Sequence, residues 1–178
     1  MKSLPLPFVC SAGACSGGGT TGAQQPPRTL YQDAQMLEDA GLFSEAVEKY
    51  KKVGTENQGT RLGSFAYLRM AELYLKQEDW IQADTNFRLF LSANSNSHLN
   101  AYVLYRLLMV NDKKSYTGLI WRDRELDRDM DPNKQIILEY KRFYLLYPTS
   151  IYAPEVVQIY RAARRTLADH EIVVADFY

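Results

Sequence analysis

The amino-acid sequence predicts an all-α fold in which helical hairpins stack into a solenoid, and three observations support this prediction. Apolar residues recur at helical spacing over residues 67–74 and 81–90, on either side of a polar turn. Each of these segments carries an alanine, Ala71 or Ala83, that would let two helix backbones approach closely. The pattern also recurs, since Ala46 precedes Ala83 by close to the roughly 34 residues of a helical-hairpin repeat.

The stretch from 67 to 90 matches the signature of a tetratricopeptide (TPR) repeat, a pair of antiparallel helices. The signature positions are held, in order, by Tyr67, Met70, Ala71, Tyr74, Ala83 and Phe87. Extending the pattern in both directions predicts a TPR-like solenoid of about three and a half repeats. This solenoid is assigned to residues 28–178, and residues 1–27 form a separate segment.

The hairpins follow one another along the chain. The first is predicted over Arg28–Val53, and a polar connector over 54–63 leads to the second, in which Ile81 resumes the helical period after the turn. The third pairs Asn100–Val110 with Asn133–Leu146, before Pro148. The sequence therefore predicts three complete hairpins.

An insertion separates the two helices of the third hairpin, over Asp112–Asp131, and it ends in a dense run of charges. One interpretation is a solvated loop whose charged side chains pair among themselves, and the other is a protrusion that docks a partner. Aspartates at 127, 129 and 131 imitate the start of a calcium loop, but the glycine and the closing glutamate of that loop are missing. Calcium binding is therefore not predicted.

The last segment, Ile151–Tyr178, reads as one long helix that begins near Ala153. It would be the first helix of a fourth repeat, with no second helix to cover its inner face. Either a partner covers this face or the sequence is a piece of a longer protein, and the pattern favours the second interpretation.

Composition excludes several function classes. The formal net charge is zero and no long basic run exists, so nucleic-acid binding is not predicted as a primary role. The two histidines, His98 and His170, lack metal-ligand spacing, and no nucleophile, phosphate-loop or dinucleotide motif is found. No apolar run is long enough for a membrane-spanning helix. We therefore predict no enzyme, no metal and no cofactor.

Residues 1–27 resemble a bacterial lipoprotein signal followed by a flexible tether. A short apolar stretch leads to Ala12-Gly13-Ala14-Cys15, and a glycine-rich segment follows. In this interpretation Cys15 is the acylated residue, so that a covalent lipid is the expected attachment. The alternative is an unstructured tail with two free thiols, at Cys10 and Cys15.

Two C-terminal stretches, at 126–157 and 167–178, closely resemble the BamD family of outer-membrane protein assembly lipoproteins, also called ComL-type competence lipoproteins. The residues that carry the likeness are Asp127-Arg128-Asp129, Phe143, Tyr147-Pro148, Ser150, Tyr152-Ala153, Leu167-Ala168, His170-Glu171, Val174-Ala175 and Phe177-Tyr178. The likeness extends over Leu30–Tyr178, and before the last fifty residues or so it is generic to TPR repeats.

The resemblance implies a scaffold in the machinery that folds and inserts β-barrel proteins into the outer membrane. It implies a lipid-anchored chain that faces the periplasm of a Gram-negative bacterium. Its partners would be the barrel-shaped core subunit, other assembly lipoproteins and unfolded outer-membrane protein segments. Family members carry five repeats, of which the first three are thought to bind substrate and the last two to dock the core subunit. This chain would keep mainly the substrate-binding half.

Candidate binding residues follow from these expectations. Tyr67, Tyr74 and Tyr105 are weak candidates for stacking against a bound segment in the groove. For docking the core subunit the candidates are Arg128, Asp129, Arg165 and Glu171, which lie in or beside the matching stretches. Two alternatives stay open, a TPR adaptor that grips a partner's terminal carboxylate and a periplasmic coordinator of the cell envelope. The adaptor would need cations on successive first helices, where Arg69 and Arg106 are present but the first, Leu30–Leu37, offers none.

Overall fold

The computed structural model describes residues 25–117 and 129–178, and seven helices occupy these two ranges. In chain order they are α1 (Pro27–Asp39), α2 (Phe43–Glu56), α3 (Arg61–Lys76), α4 (Trp80–Ala93), α5 (Asn100–Thr117), α6 (Asp131–Leu146) and α7 (Ala153–Phe177). No strand is assigned within the described ranges. The predicted all-α, TPR-like stack is confirmed, with hairpins α1–α2, α3–α4 and α5–α6 followed by the long helix α7.

The helices begin where local chemistry favours a start. Pro27 occupies the first turn of α1, where its missing N–H would have no intrahelical partner. The Thr60 side chain accepts a hydrogen bond from the Gly63 N–H at 3.1 Å and so caps α3. The Asp79 carboxylate accepts from the Gln82 N–H at 3.0 Å and caps α4. The polar turn predicted before α4 is thereby confirmed.

The connector between the first two hairpins is shorter than predicted. Gly54 lies inside α2 and Gly63 inside α3, so the connector covers 57–60 rather than 54–63. A Cβ atom at Gly54 would stand 2.9 Å from the Tyr67 ring, closer than real Cβ contacts allow. The glycine therefore serves the close packing of α2 against α3 rather than a flexible loop.

Two buried apolar clusters form the core, and α3 contributes to both. The first joins α1, α2 and α3 through residues that include Leu30, Ala34, Ala46, Tyr50 and Met70. The second runs from α3 to α7 and includes Ala71, Ala83, Phe87, Leu107, Ile136, Phe143 and Val156. The predicted small residues, Ala46, Ala71 and Ala83, are fully buried at the helix contacts. The helices of the hairpins therefore pack closely against one another at these alanines.

Two details of the prediction are wrong. Ile81 is 69% exposed although it was assigned to the packed stripe. It lies two positions from the buried Ala83, and at about 100° per residue two positions point to opposite sides of a helix. In addition, α5 continues to Thr117, so the first part of the predicted insertion is helical. Asn111 and Ser115 are buried there, which shows that the packed face of α5 continues past Val110.

Helix α7 packs against α6 and α5 at the end of the described stack. Val156 and Ala163 are its buried positions, whereas Ile172 and Phe177 are exposed on its second half. The uncovered apolar surface expected for a lone first helix is therefore present. Among the described residues, no helix is both long and apolar enough to cross a bilayer.

Candidate functional site

The candidate site is the surface formed by the first helices of successive repeats, α1, α3, α5 and α7, called here the first-helix face. Helix α1 contacts α3, and α5 contacts α7. Second helices are linked as well, because Arg88 of α4 donates to the buried Glu139 carboxylate of α6 at 2.8 Å. Helical solenoids commonly bind partners along the extended surface that successive repeats present.

A buried carboxylate joins α1 to α3. The Arg69 guanidinium donates to both oxygens of Glu38, at 2.6 Å from Nη2 and 3.2 Å from Nε. The Tyr50 hydroxyl donates to the same carboxylate at 3.1 Å, and Lys76 Nζ lies 3.5 Å from it. The Glu38 side chain is 5% exposed. We call these four residues the Glu38 junction.

A second carboxylate joins α3 to α5 in the same manner. Arg106 donates to Glu72 at 2.5 Å from Nη2 and 3.3 Å from Nε, and the Tyr102 hydroxyl donates to Glu72 at 2.7 Å. The two forked arginine–carboxylate pairs therefore set the spacing of three successive first helices.

Aromatic rings join α5 to the residue that precedes α7, Tyr152. Tyr105 stacks on Tyr152 with ring centroids 4.9 Å apart and an interplanar angle of 8°, and Tyr102 meets the same ring at 5.8 Å. The Tyr105 hydroxyl donates to the Glu155 carboxylate. We call these four residues the tyrosine junction. It performs the same linking task as the Glu38 junction with rings in place of a buried ion pair.

Three phenols of the two junctions, those of Tyr50, Tyr102 and Tyr105, have raised pKa values. Burial raises the pKa of Tyr50, and the neighbouring Glu38 charge adds to the increase while Arg69 opposes it. Burial raises the pKa of Tyr105 to about 12, and the hydrogen bond to Glu155 adds to this increase. Burial and the hydrogen bond to Glu72 raise the pKa of Tyr102 in the same direction. These phenols therefore act as hydrogen-bond donors at neutral pH and not as proton-transfer groups.

The predicted groove tyrosines have three different environments. Tyr67 is buried in the first cluster against Gly54, so its assignment to the groove is wrong. Its ring packs beside the close contact between α2 and α3. Tyr74 is partly buried and packs against both clusters. Tyr105 is partly buried in the tyrosine junction. A groove role stays a prediction for Tyr74 and Tyr105.

The predicted docking residues are spread over the C-terminal part of the stack. Asp129 is exposed, and its carboxylate accepts from the Asp131 N–H at 2.9 Å where α6 begins. Arg165 and Glu171 are exposed on α7. Arg128 and Cys15 lie outside the described residues. No contact joins Asp129, Arg165 and Glu171 among the described residues, so their docking role stays a prediction.

The sequence prediction missed Glu38, Glu72 and Tyr102, the residues that cross-link the first helices. A signal was present for Glu72, because this charged residue lies between the apolar Ala71 and Leu73. The same contacts involve Arg69 and Arg106, the cations that a terminal-carboxylate clamp would use. Both guanidinium groups already bind carboxylates of this chain. This pairing weakens the interpretation as a carboxylate-gripping adaptor.

Comparison with known proteins gives one family and two relatives. The family described as YfiO, outer membrane lipoprotein, matches residues 23–178. A Vibrio cholerae protein named outer membrane protein assembly factor BamD is 26% identical over 167 residues, covering 92% of this chain and 69% of its own length. A Pasteurella multocida protein of the same name is 24% identical, covering 93% of this chain and 64% of its own length. The chain thus spans about two thirds of each relative.

Proposed function

The chain belongs to the YfiO family of outer membrane lipoproteins, and from this premise we propose that it is a non-enzymatic scaffold for outer-membrane protein assembly. The observation that carries the proposal is that the family match extends over the whole described stack of helices. Both relatives are named as assembly factors for outer membrane proteins. Their name supports a role in holding other proteins during assembly.

The first-helix face suits a scaffold because its helices are cross-linked. Forked arginine–carboxylate pairs connect α1 to α3 and α3 to α5, and stacked rings connect α5 to α7. A surface held at constant spacing loses little conformational entropy when it binds an extended segment. Binding of this kind requires apolar pockets and backbone hydrogen bonds and no bond-making chemistry.

The bound substrates are proposed to be unfolded segments of outer-membrane β-barrel proteins. The chain should bind peptides from the C-terminal strands of such barrels with roughly micromolar affinity, as is usual for a shallow groove. Isothermal titration calorimetry of the full chain against such a peptide measures this affinity. A peptide of the same composition in scrambled order is the control. Equal binding of both peptides, or no heat from either, would contradict the proposal.

The anchor is proposed to be a lipid on Cys15 that holds the chain to the outer membrane, facing the periplasm. The expected result is that radiolabelled palmitate enters the chain in a Gram-negative host. The label should be lost in the Cys15→Ala variant and kept in the matched Cys10→Ala variant. Label that survives Cys15→Ala would move the anchor to another residue, and a chain that takes up no label would refute lipid anchoring.

The partners are proposed to be the β-barrel assembly core subunit and other assembly lipoproteins, contacted through the C-terminal part of the stack. Arg128, Asp129, Arg165 and Glu171 are the proposed contact residues. A double variant, Arg165→Glu with Glu171→Lys, keeps the net charge and should reduce co-purification with the core subunit. Lys51→Glu with Glu45→Lys on α2 is the matched control. If both double variants co-purify equally with the core subunit, Arg165 and Glu171 are not part of the contact.

A further inference from the structure

A polar cavity of about 500 Å³ lies at one edge of the stack, between the connector that precedes α3 and the connector that precedes α5. Residues 59–61 line one side of it, residues 93–98 line the other, and Phe65 is also part of the lining. The volume lies within the roughly 300 to 1,000 Å³ of typical small-molecule sites. None of the described residues that line the cavity is acidic, whereas Arg61 and His98 are among them. The cavity therefore suits a negatively charged group.

The guanidinium of Arg61 is the fixed positive charge of this cavity. Its Cζ lies 5.5 Å from the centre of the Phe65 ring, so the guanidinium packs on an aromatic face. Phe65 in turn meets the buried Phe90 edge to face, with ring centroids 6.1 Å apart. Within the described part of the chain, Arg61 forms no ion pair with a carboxylate, unlike Arg69 and Arg106. The N–H groups at the edge of its guanidinium can therefore donate to an oxyanion.

The carbonyl groups of the opposite wall are occupied by hydrogen bonds within the chain. The buried Asn100 side chain donates from Nδ2 to the carbonyl oxygens of Asn94 and Ser95, at 2.7 and 2.9 Å. The Ser97 carbonyl accepts from the Asn100 N–H at 3.1 Å. These bonds direct the carbonyl groups toward the start of α5 and fix the connector. The exposed side chains of Ser95 and Asn96 remain as hydrogen-bonding groups for a ligand.

The cavity lies at the edge of the stack where α1 begins. Because the hairpins are antiparallel, the start of α1 lies at the same edge as the connectors that precede α3 and α5. Cys15, the proposed lipidation site, precedes Pro27 by 12 residues. An extended chain of this length spans about 40 Å at most, so a chain anchored at Cys15 would hold the start of α1 within that distance of the membrane surface.

We propose that this cavity binds a phosphate group, to which the Arg61 guanidinium donates two hydrogen bonds while Ser95, Asn96 and His98 contribute others. A guanidinium fork matches the oxygens of a phosphate. A free phosphate ion would occupy only a small part of the cavity, so the group is carried by a larger molecule. The headgroup of an anionic phospholipid is the expected source. Only this lipid source rests on the proposed anchor, and phosphate binding itself does not.

The Cys15→Ala variant of the full chain allows phosphate binding to be measured without a covalent lipid. The probe is glycerol phosphate, followed by the NMR signals of the backbone amides, and residues 59–61 and 93–98 should shift. Arg61→Gln should weaken binding at least about tenfold, as expected when a charge-assisted hydrogen-bonded pair is lost. Arg61→Lys, which keeps the charge but not the fork, should have an intermediate affinity. Arg161→Gln, at an exposed arginine of α7, is the matched control and should change the affinity less than about twofold.

Vesicles that contain phosphatidylglycerol test the lipid source. The Cys15→Ala chain should co-sediment with these vesicles, and Arg61→Gln should reduce the co-sedimentation. Asn96→Asp adds a carboxylate to the lining and should weaken vesicle binding roughly fivefold or more, because like charges repel. Gln82→Glu adds the same charge at the exposed start of α4, on the opposite edge, and is the matched control. Circular dichroism of each variant confirms that the helices are retained.

The outcomes separate the site from its source. Binding of glycerol phosphate without vesicle binding would keep the phosphate site and overturn the lipid source. Arg61-dependent vesicle binding would support both. The phosphate site itself would be overturned if neither probe binds, if Arg61→Gln leaves binding unchanged, or if succinate binds as tightly as glycerol phosphate. Failure of barrel peptides to bind would contradict the proposed function and leave these results unaffected.

Discussion

The Glu38 junction and the tyrosine junction lie at opposite ends of the described stack and hold neighbouring first helices together by different interactions. Each joins two first helices, α1 to α3 in one case and α5 to α7 in the other. The Glu38 junction depends on a carboxylate that is 5% exposed and meets an arginine, a lysine and a phenol. The tyrosine junction depends on stacked rings and a hydroxyl directed to Glu155. The first helices are thus joined by a buried charge at one end of the described stack and by aromatic packing at the other, while the buried Glu139 carboxylate joins α6 to Arg88 of α4.

The two junctions are expected to differ in how strongly a substitution destabilises the fold. A buried carboxylate that loses its cation remains as an unpaired charge, and this is strongly destabilising. A ring that loses a stacking neighbour loses contact area and a small orientation-dependent term. We therefore expect the Glu38 junction to be more sensitive to substitution than the tyrosine junction, although both join neighbouring first helices.

The largest expected effect comes from Arg69→Ala, which leaves Glu38 buried without its forked partner. We expect the free energy of unfolding to fall by about 2 to 4 kcal/mol. The loss should be smaller than for a wholly buried pair, because the Arg69 side chain is 40% exposed and Lys76 remains near Glu38. Urea denaturation followed by circular dichroism measures the change. Arg165→Ala on α7 is the control, with an expected change within about 0.5 kcal/mol.

Amide hydrogen exchange of the Arg69→Ala variant also shows which helices lose stability. Amide hydrogen exchange should accelerate in α1 and in the facing part of α3, while α7 keeps its protection, because solenoid repeats interact chiefly with their neighbours. Uniform acceleration through all seven helices would show that the two junctions are not energetically separate. The two junctions would then contribute to the stability of one cooperative unit.

A smaller effect is expected from Tyr152→Leu in the tyrosine junction. This change removes the ring that meets both Tyr102 and Tyr105 but keeps an apolar side chain. We expect a loss of about 1 to 1.5 kcal/mol, the usual worth of aromatic pairing beyond buried area. The same urea measurement applies. A loss equal to that of Arg69→Ala would mean that aromatic packing is as sensitive as the buried charge.

The smallest expected effect at neutral pH comes from Tyr105→Phe, which removes one partly exposed hydrogen bond worth about 0.5 kcal/mol. Its pH dependence is more informative. Because the folded-state pKa of Tyr105 is raised from 10.0 to about 12, its contribution is fully present below pH 10 and declines as pH rises toward 12. The free energy of unfolding should therefore fall over this window. Urea midpoints at pH 8 to 12 should fall less steeply in Tyr105→Phe, and equal slopes would contradict the assignment.

Much of the fold could be predicted from the sequence because hairpin packing is periodic. Ala46, Ala71 and Ala83 marked the close contacts, and each is fully buried. The polar turn before α4 was also visible, since Asp79 is a helix-capping residue. The connector at 54–63 was misjudged because glycine is common both in loops and at close helix contacts, and only the Tyr67 ring beside Gly54 distinguishes the two cases.

The binding surface was less predictable than the fold. Tyr67 and Tyr105 occupy first helices and carry the same side chain, yet Tyr67 is buried and Tyr105 is partly exposed. Their environments differ because Tyr67 packs against Gly54 of α2, whereas Tyr105 stacks on Tyr152 just before α7. A helical period shows which residues share a stripe, but it does not show which neighbouring side chains that stripe meets.

That this chain forms stacked helical hairpins could be derived from its amino-acid sequence alone. Local periodicity and small residues act between positions that are close along the chain, so they can be read in order. The pairing of Glu38 with Arg69, of Glu72 with Arg106 and of Glu139 with Arg88 could be found only in the folded structure. These partners come from different repeats, and their distances depend on how the repeats pack against one another, which no local pattern records.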